Sequence, residues 1–183
     1  MEKIIFIDRD GVINRYPGDF KYVSTVNEFK FLSGSKEALV RLYKSGYRIF
    51  VISNQAGVTK GLYSRKTLDE ITKLLNDGVE SAGGHIEKVF YCIHAEEQNC
   101  DCRKPKTGLL KKALSLADAD VSKTFFIGDS IRDIKTGKAA GCKTILVLSG
   151  KETSENRANW EVQPDFVSEN LLSATEIVLK QNK

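Results

Sequence analysis

The chain has 183 residues and a formal net charge of +4, and 41% of its residues are hydrophobic and 28% charged. These values are typical of one globular domain, which we place at 1–183, and scattered lysines and arginines argue against a nucleic-acid partner. No apolar run approaches the roughly 20 residues of a membrane span, and the charged start MEKIIFIDRD differs from a signal peptide. We therefore expect a cytoplasmic protein with no membrane partner, and a monomer because no long apolar stripe is evident.

Short apolar runs alternate with amphipathic segments along the whole chain. In chain order, the pattern predicts strand 3–7, helix 35–44, strand 47–52, helix 65–78, strand 88–92, helix 108–117, strand 124–127, helix 131–139, strand 144–148, a short edge strand 165–167 and helix 171–180. This alternation favours an α/β fold, a Rossmann-like three-layer α/β/α sandwich around a mostly parallel sheet.

Polar residues follow four of the predicted strands directly. The first strand runs into Asp8 to Gly11, the second into Ser53 to Gln55, the third into Cys92 and His94, and the fourth into Gly128 to Ser130. Ligands of open parallel sheets bind at the carboxyl ends of the strands. The sequence therefore predicts a functional site at this edge of the sheet.

Asp8 and Asp10 have the arrangement that an acid–base or nucleophilic pair needs. One carboxylate can bind a divalent cation and attack phosphorus, while the other holds a proton if its environment raises its pKa. Gly11 permits the sharp turn that follows. A turn or helix cap made by the same aspartates is the alternative that this motif leaves open.

The remaining polar clusters add groups that suit a phosphate and a metal ion. Ser53 offers a hydroxyl, and Arg103 and Lys104 offer cationic donors. Asp129 ends a strand, and Asp133 follows it by one helical turn, so both can contribute oxygen ligands. Each cluster alone also fits an ordinary polar loop or a helix N-cap.

The order of these motifs, D-x-D-G, then Ser, then Lys, then G-D-x-x-x-D, resembles the haloacid dehalogenase superfamily of phosphotransferases over roughly residues 4–150. By this resemblance, Asp8 attacks phosphorus, and Asp10 first protonates the leaving oxygen and then activates water. Ser53 and Lys104 hold the transferring phosphoryl group. Positioning and charge neutralisation are what phosphoryl transfer demands of a protein.

The same resemblance implies Mg²⁺ as a cofactor. The expected ligands are the side chains of Asp8 and Asp129 and the main-chain carbonyl of Asp10, with Asp133 in a supporting place. No cap domain is expected, because only 44 residues lie between Asp8 and Ser53, and a loop, a helix and a strand use them all.

Cysteines and a histidine cluster in the loop at 92–102. The candidate ligands are Cys92, His94, Cys100 and Cys102. Three thiolates and one imidazole fit a closed tetrahedral Zn²⁺ site, and in a chain without a secretion signal such clustering favours metal over disulfides. Free thiols in a mobile loop are the alternative. Zinc would order the loop just before Arg103 and Lys104.

The combination D-R-D-G-V-I-N, S-N-Q, C-x-H, C-D-C-R-K-P and G-D-S resembles one subgroup, the D-glycero-D-manno-heptose 1,7-bisphosphate 7-phosphatases and the related histidinol-phosphate phosphatases. The resemblance implies a small phosphorylated metabolite as the partner, a precursor of ADP- or GDP-heptose in the first case. It also implies a set of substrate contacts: Arg15, Tyr16, Asp19, Tyr22, Asn54, Gln55, Arg103 and Ser130.

Three departures leave the substrate open. Ser130 stands where the heptose enzymes often have lysine, the loop between His94 and Cys100 is short, and the segment RYPGDFK is longer than usual. Histidinol phosphate or another small phosphomonoester is therefore an alternative substrate. A zinc-stabilised binding module with structural aspartates is the alternative from outside the enzymes.

Overall fold

The structure is a computed structural model and describes residues 1–181. At its centre lies a six-stranded sheet with the order β3-β2-β1-β4-β5-β6, in which every neighbouring pair is parallel. The strands are β1 (Lys3–Ile7), β2 (Tyr47–Asn54), β3 (Lys88–Cys92), β4 (Phe125–Gly128), β5 (Lys143–Val147) and β6 (Phe166–Ser168). The predicted mostly parallel sheet is confirmed.

Five helices cover the two faces of the sheet. They are α1 (Ser35–Lys44), α2 (Arg65–Glu80), α3 (Gly108–Leu114), α4 (Ile131–Ala140) and α5 (Leu171–Gln181). Helices α1, α2 and α5 bury their apolar stripes with Ile5 and Ile7 of β1 on one face. On the other face, α3 packs with Ile4 and Phe6, and α4 packs against β5. The predicted three-layer sandwich is therefore confirmed.

Burial on both faces explains why β1 is a continuous apolar run. Successive side chains of a strand point to opposite faces, so Ile4 and Phe6 enter one core and Ile5 and Ile7 the other. β1 lies between β2 and β4, in one of the two central positions of the sheet. The residues that follow it are thus fixed by packing on all sides.

Some strand and helix ends differ from the predicted ones. β2 continues past residue 52, because Ser53 and Asn54 still pair with Tyr91 and Cys92 of β3. Ser53 is consequently held on a strand and not in a loop. Helix α3 stops at Leu114, short of the predicted 117, and the hydroxyl of Ser115 bonds the carbonyl of Lys112 there.

The strand order places the ends of β1 and β4 side by side. The chain leaves β1 toward β2 on one side and reaches β4 on the other, which is the topological switch point where doubly wound sheets bind ligands. Between β1 and β2 lie only loops, a short 3₁₀ turn and α1 among the described elements, so no cap domain covers this edge. Within residues 1–181, no helix has the length and apolarity of a membrane span.

Candidate active site

A cavity of about 240 Å³ opens at the carboxyl edge of the sheet. Most of the residues predicted for catalysis and substrate contact line it: Asp8, Asp10, Tyr16, Asp19, Tyr22, Ser53, Asn54, Arg103, Lys104, Asp129, Ser130 and Asp133. They come from the ends of three strands, the first turn of α4 and two loops, all far apart in sequence.

Asp8 lies directly after β1, and both its carboxylate oxygens are held. Oδ1 accepts a hydrogen bond from the backbone N–H of Arg9 at 2.7 Å, and Oδ2 lies 3.0 Å from the ammonium nitrogen of Lys104. Burial raises the pKa of Asp8 to about 6, opposed by Lys104 and reinforced by the carboxylates of Asp133 and Asp10. The carboxylate is therefore fixed and poorly solvated, as a nucleophile requires.

Lys104 is only 3% exposed, and it connects three parts of the site. Its ammonium group lies 2.6 Å from Asp133 Oδ1 and 3.0 Å from Asp8 Oδ2, and it donates to the carbonyl of Ile52 at 3.0 Å. Burial opposes its charge, but Asp133 and Asp8 outweigh that effect and raise the pKa of Lys104. It is a permanent cation at the base of the cavity.

The main chain of Lys104 is fixed as firmly as its side chain. The amide of Asn54 accepts from the Lys104 N–H at 3.1 Å and donates to the Lys104 carbonyl at 3.2 Å. Both ends of the Asn54 amide are thus used to join the end of β2 to the loop that carries the lysine. Asn54 lines the cavity, and its predicted contact with substrate stays a prediction.

Three buried carboxylates, those of Asp8, Asp129 and Asp133, offer oxygen atoms within 4.8 Å of one another. Burial, followed by Asp133 and Asp8, raises the pKa of Asp129 well above its usual range. Lys104 offsets only part of the shared charge. A divalent cation among these oxygens would offset the remainder, and an all-oxygen donor set suits Mg²⁺.

Asp129 has no room to move away from this position. A Cβ atom at Gly11 would lie 2.0 Å from Asp129 Oδ2, and one at Gly150 would lie 2.1 Å from it. The same oxygen accepts the backbone N–H of Lys151 at 2.8 Å. Glycine at both positions is therefore a condition for the carboxylate to reach the cluster.

Asp133 supports the site from the first turn of α4. Its Oδ2 accepts from the backbone N–H of Ser130 at 3.2 Å and from the Ser130 hydroxyl at 2.6 Å, while Oδ1 faces Lys104. This arrangement caps the helix and orients the lysine with one side chain. The Ser130 hydroxyl is engaged by Asp133, although Ser130 itself lines the cavity.

Asp10 is held by three neighbours that the sequence did not assign to it. The guanidinium of buried Arg9 binds both oxygens, at 2.9 Å and 3.0 Å through one nitrogen, and the amide of buried Asn14 donates to Oδ1 at 2.8 Å. The amide of Gln55 donates to Oδ2 at 2.7 Å. The sequence held two signals of this support: Arg9 stands between two aspartates, and Asn14 follows an apolar pair. Each pattern covers too few residues to be interpreted alone.

The loop after Asn14 forms one wall of the cavity. The hydroxyl of Tyr16 donates to Asp19 at 2.6 Å, and Asp19 lies 3.0 Å from the ammonium group of Lys151. Tyr22 packs beside Tyr63 with 6.2 Å between ring centroids. Tyr16, Asp19 and Tyr22 therefore border the space above Asp10, where a substrate would lie.

The cluster at 92–102 brings its four candidate ligands together. The Sγ atoms of Cys92, Cys100 and Cys102 lie 3.2 to 3.5 Å apart, and His94 Nδ1 lies 3.2 Å from Cys102 Sγ and 3.7 Å from Cys92 Sγ. Zn–S bonds of about 2.3 Å place tetrahedral ligands about 3.8 Å apart. The donor set and the compact arrangement fit Zn²⁺, and Cys142 is not part of this group of ligands.

Comparison with known proteins places the chain in a family. It is 34% identical to the D-glycero-β-D-manno-heptose-1,7-bisphosphate 7-phosphatase of Pasteurella multocida over 97% of both chains. It is equally identical to the enzyme of that name from Neisseria meningitidis serogroup A over 98% of this chain and 96% of the relative. The HAD-hydrolase-like family model matches residues 101–174. The chain belongs to the HAD-like phosphatase family.

The fold of this HAD-like chain agrees with a solved relative along its whole length. The D,D-heptose 1,7-bisphosphate phosphatase of B. bronchiseptica, solved with magnesium and phosphate, superposes with a TM-score of 0.90 at 30% identity. The match covers 98% of this chain and 99% of that one. The resemblance to the haloacid dehalogenase superfamily is thus confirmed.

Two of the predicted substrate contacts in this HAD-like chain lie outside the cavity. Arg15 is exposed and absent from the cavity lining, and its main-chain N–H pairs with the carbonyl of Lys30. The side chain of Gln55 is 0% exposed and is used within the protein. The predicted contacts of Arg15 and Gln55 with substrate stay predictions.

Adding Mg²⁺ should raise the unfolding temperature of the wild type, because a ligand that binds only the folded state stabilises it. The gain is about 2.7 kcal/mol at a hundred times the dissociation constant. Asp129→Asn removes one of the clustered charges and should abolish most of the shift in a differential scanning fluorimetry titration. Asp69→Asn, which changes an exposed carboxylate on α2, should keep it. An undiminished shift in Asp129→Asn would contradict a cation site at Asp129.

Proposed function

We propose that this chain is a Mg²⁺-dependent phosphatase that removes the 7-phosphate of D-glycero-D-manno-heptose 1,7-bisphosphate. The observation that carries the proposal is the buried carboxylate of Asp8, fixed 3.0 Å from Lys104 in one cavity with Asp10. The proposed substrate is taken from relatives that match nearly the full length of the chain and are named for this reaction. The monomeric state and the cytoplasmic location stay predictions.

The reaction proceeds in two displacements at phosphorus. Asp8 attacks the phosphoryl group, the bond from phosphorus to the sugar oxygen breaks, and Asp10 gives that oxygen a proton. Asp10 then takes a proton from water, which attacks the phosphorus of the aspartyl-phosphate and releases inorganic phosphate and free Asp8. Atoms and charge balance, and the enzyme returns to its starting state.

The groups around Asp8 suit the charge of a phosphoryl group. Lys104 supplies a fixed ammonium group, and Ser53, held on β2, supplies a hydroxyl. A Mg²⁺ ion would be held by Asp8, Asp129 and the main-chain carbonyl of Asp10. Its positive charge would reduce the repulsion between the phosphate and the three carboxylates. The complex of the B. bronchiseptica enzyme with magnesium and phosphate supports this cofactor.

We assign the part of the substrate beyond the reacting phosphate to Arg103. This residue lines the cavity next to Lys104, and one of its guanidinium nitrogens lies 3.4 Å from the carbonyl of His94. That contact is long, so most of the guanidinium's donors remain available for a second phosphate or sugar hydroxyls. With no cap over the site, groups beside Asp8 have to provide selectivity.

We propose Zn²⁺ as a structural ion of the loop at 92–102. Its ligands would be the three thiolates and the imidazole of the cluster, a closed set with no open position for chemistry. Cys102 immediately precedes Arg103, so ordering the last ligand orders the residues that face the substrate. The ion would act on catalysis only through this positioning.

Histidinol phosphate is the second candidate substrate, and Ser130 is the observation that favours it. The Ser130 hydroxyl is bound to Asp133, and no lysine stands there to meet a second phosphate.

Purified protein should be assayed with both compounds and Mg²⁺. We expect kcat/KM for the heptose bisphosphate to exceed that for histidinol phosphate, with release of the 7-phosphate alone because it is the one on a primary carbon. The reverse order, or release of both phosphates, would assign a different substrate.

Arg103→Ala should lower kcat/KM for the bisphosphate. The loss of transition-state stabilisation should be about 2 kcal/mol or more, as expected for a charge-assisted hydrogen bond. Hydrolysis of p-nitrophenyl phosphate, which has no distal group, should change little. Arg65→Ala on the exposed surface of α2 serves as the control and should affect neither substrate. Equal losses on both substrates in Arg103→Ala would place Arg103 on the reacting phosphate instead.

Elemental analysis should find about one tightly bound zinc per chain, as four converging ligands predict. The double variant Cys100→Ser and Cys102→Ser should lose it, and limited proteolysis should then cut the 92–102 loop faster while the sheet stays folded. Cys142→Ser changes a buried cysteine outside the cluster and should retain zinc. Full zinc content in the double variant would show that these thiols are not ligands.

A further inference from the structure

Gln55 is a buried amide with all of its side-chain bonds inside the protein. Its Nε2 donates to Asp10 Oδ2 at 2.7 Å and to Ser53 Oγ at 3.1 Å, and its Oε1 accepts from the hydroxyl of Tyr63 at 2.6 Å. Nε2 has two hydrogens, so both donations are made at once. Gln55 therefore connects the acid/base residue with the hydroxyl that faces the phosphoryl group.

Asp10 and Tyr63 hold the Gln55 amide from its two ends. When Asp10 is ionised, its carboxylate accepts hydrogen bonds and cannot donate one, so Gln55 presents its nitrogen there and its oxygen to the Tyr63 hydroxyl. In the flipped orientation, the amide oxygen would face the carboxylate of Asp10 at close range. Removing the Tyr63 hydroxyl removes the donor to Oε1 and leaves the amide held at its nitrogen end only.

Tyr63 itself has little freedom to turn. A Cβ atom at Gly57 would lie 2.2 Å from its ring, and Tyr22 of the substrate-side loop packs beside the ring on the cavity side. The hydroxyl is thus aimed from a wedged side chain that is 7% exposed. The chain of contacts runs from Tyr22 through Tyr63 and Gln55 to Asp10.

The other partners of Asp10 do not make this link. Arg9 and Asn14 come from the same turn as Asp10, so they fix the carboxylate relative to its own backbone. Gln55 comes from the end of β2, the strand that also carries Ser53. Among the hydrogen bonds that the described residues donate to the Asp10 side chain, the one from Gln55 alone comes from the neighbouring strand end.

We propose that Gln55, oriented by Tyr63, is a positioning residue that holds the acid/base Asp10 in register with Ser53 and the phosphoryl group. The inference rests on the proposed phosphatase function, and it assigns no contact between Gln55 and the substrate. Its effect is on proton delivery to the leaving oxygen, because an acid displaced from that oxygen loses the advantage of proximity.

The test compares two leaving groups through kcat/KM, which reports the first displacement. The sugar oxygen of the bisphosphate is a poor leaving group and needs a proton from Asp10, whereas p-nitrophenolate leaves without one. Tyr63→Phe and Gln55→Met should each lower kcat/KM for the sugar phosphate by about tenfold or more, within the range of general acid catalysis, and for p-nitrophenyl phosphate by less than about threefold. Tyr43→Phe, a half-exposed tyrosine on α1, is the control and should change neither.

Asp10→Asn is the reference for the expected pattern and should show the same split more strongly. Equal losses on both substrates in Gln55→Met, together with wild-type values in Tyr63→Phe, would mean a merely structural role and would overturn the inference while leaving the phosphatase function intact. A wild type that hydrolyses neither substrate would overturn the proposed function and this inference together. Tyr63→Phe removes a single hydroxyl, so it keeps the test decisive if Gln55→Met fails to fold.

Discussion

The ion pairs of Lys104 with Asp8 and Asp133 are the interaction on which the site depends. Parallel packing brings the ends of β1 and β4 together and with them three carboxylates, which repel one another in a poorly solvated space. The ammonium group of Lys104 is buried among them and reduces this repulsion. The negative charge that remains suits a divalent cation. Removing one partner of a buried pair typically costs about 3–5 kcal/mol.

Much of the surrounding structure serves to bring that lysine to its place. β2 extends to Asn54, whose side-chain amide hydrogen-bonds the main chain of Lys104. In the helix cap formed with Ser130, the carboxylate of Asp133 also faces the Lys104 side chain. The cysteine-rich loop ends two residues before the lysine. Stability and catalysis therefore draw on the same contacts, and the sheet topology explains why residues distant in sequence can share them.

The sequence predicted the fold well because buried parallel strands leave a strong local pattern. Each apolar run was found within a few residues, and the polar residues after the strands marked the site. The arrangement of the support around Asp10 was not predictable in the same way. The bonds of the Gln55 amide to Asp10 and Tyr63 depend on how β2 pairs with β3, and Arg15 lies outside the cavity lining with its main chain paired to Lys30. Such contacts are tertiary and leave no periodic signal.

The central claim is that Asp8 carries the phosphoryl group, and rapid acid quenching tests it most directly. Protein mixed with substrate labelled in the transferred phosphate should be quenched within one turnover, digested and analysed by mass spectrometry. We expect phosphate on the peptide that contains Asp8, sensitive to hydroxylamine as an acyl phosphate, and none in Asp8→Asn, which should also lack turnover. Turnover without any protein-bound phosphate, accompanied by inversion of configuration at phosphorus, would show direct attack by water and contradict the role of Asp8 as nucleophile.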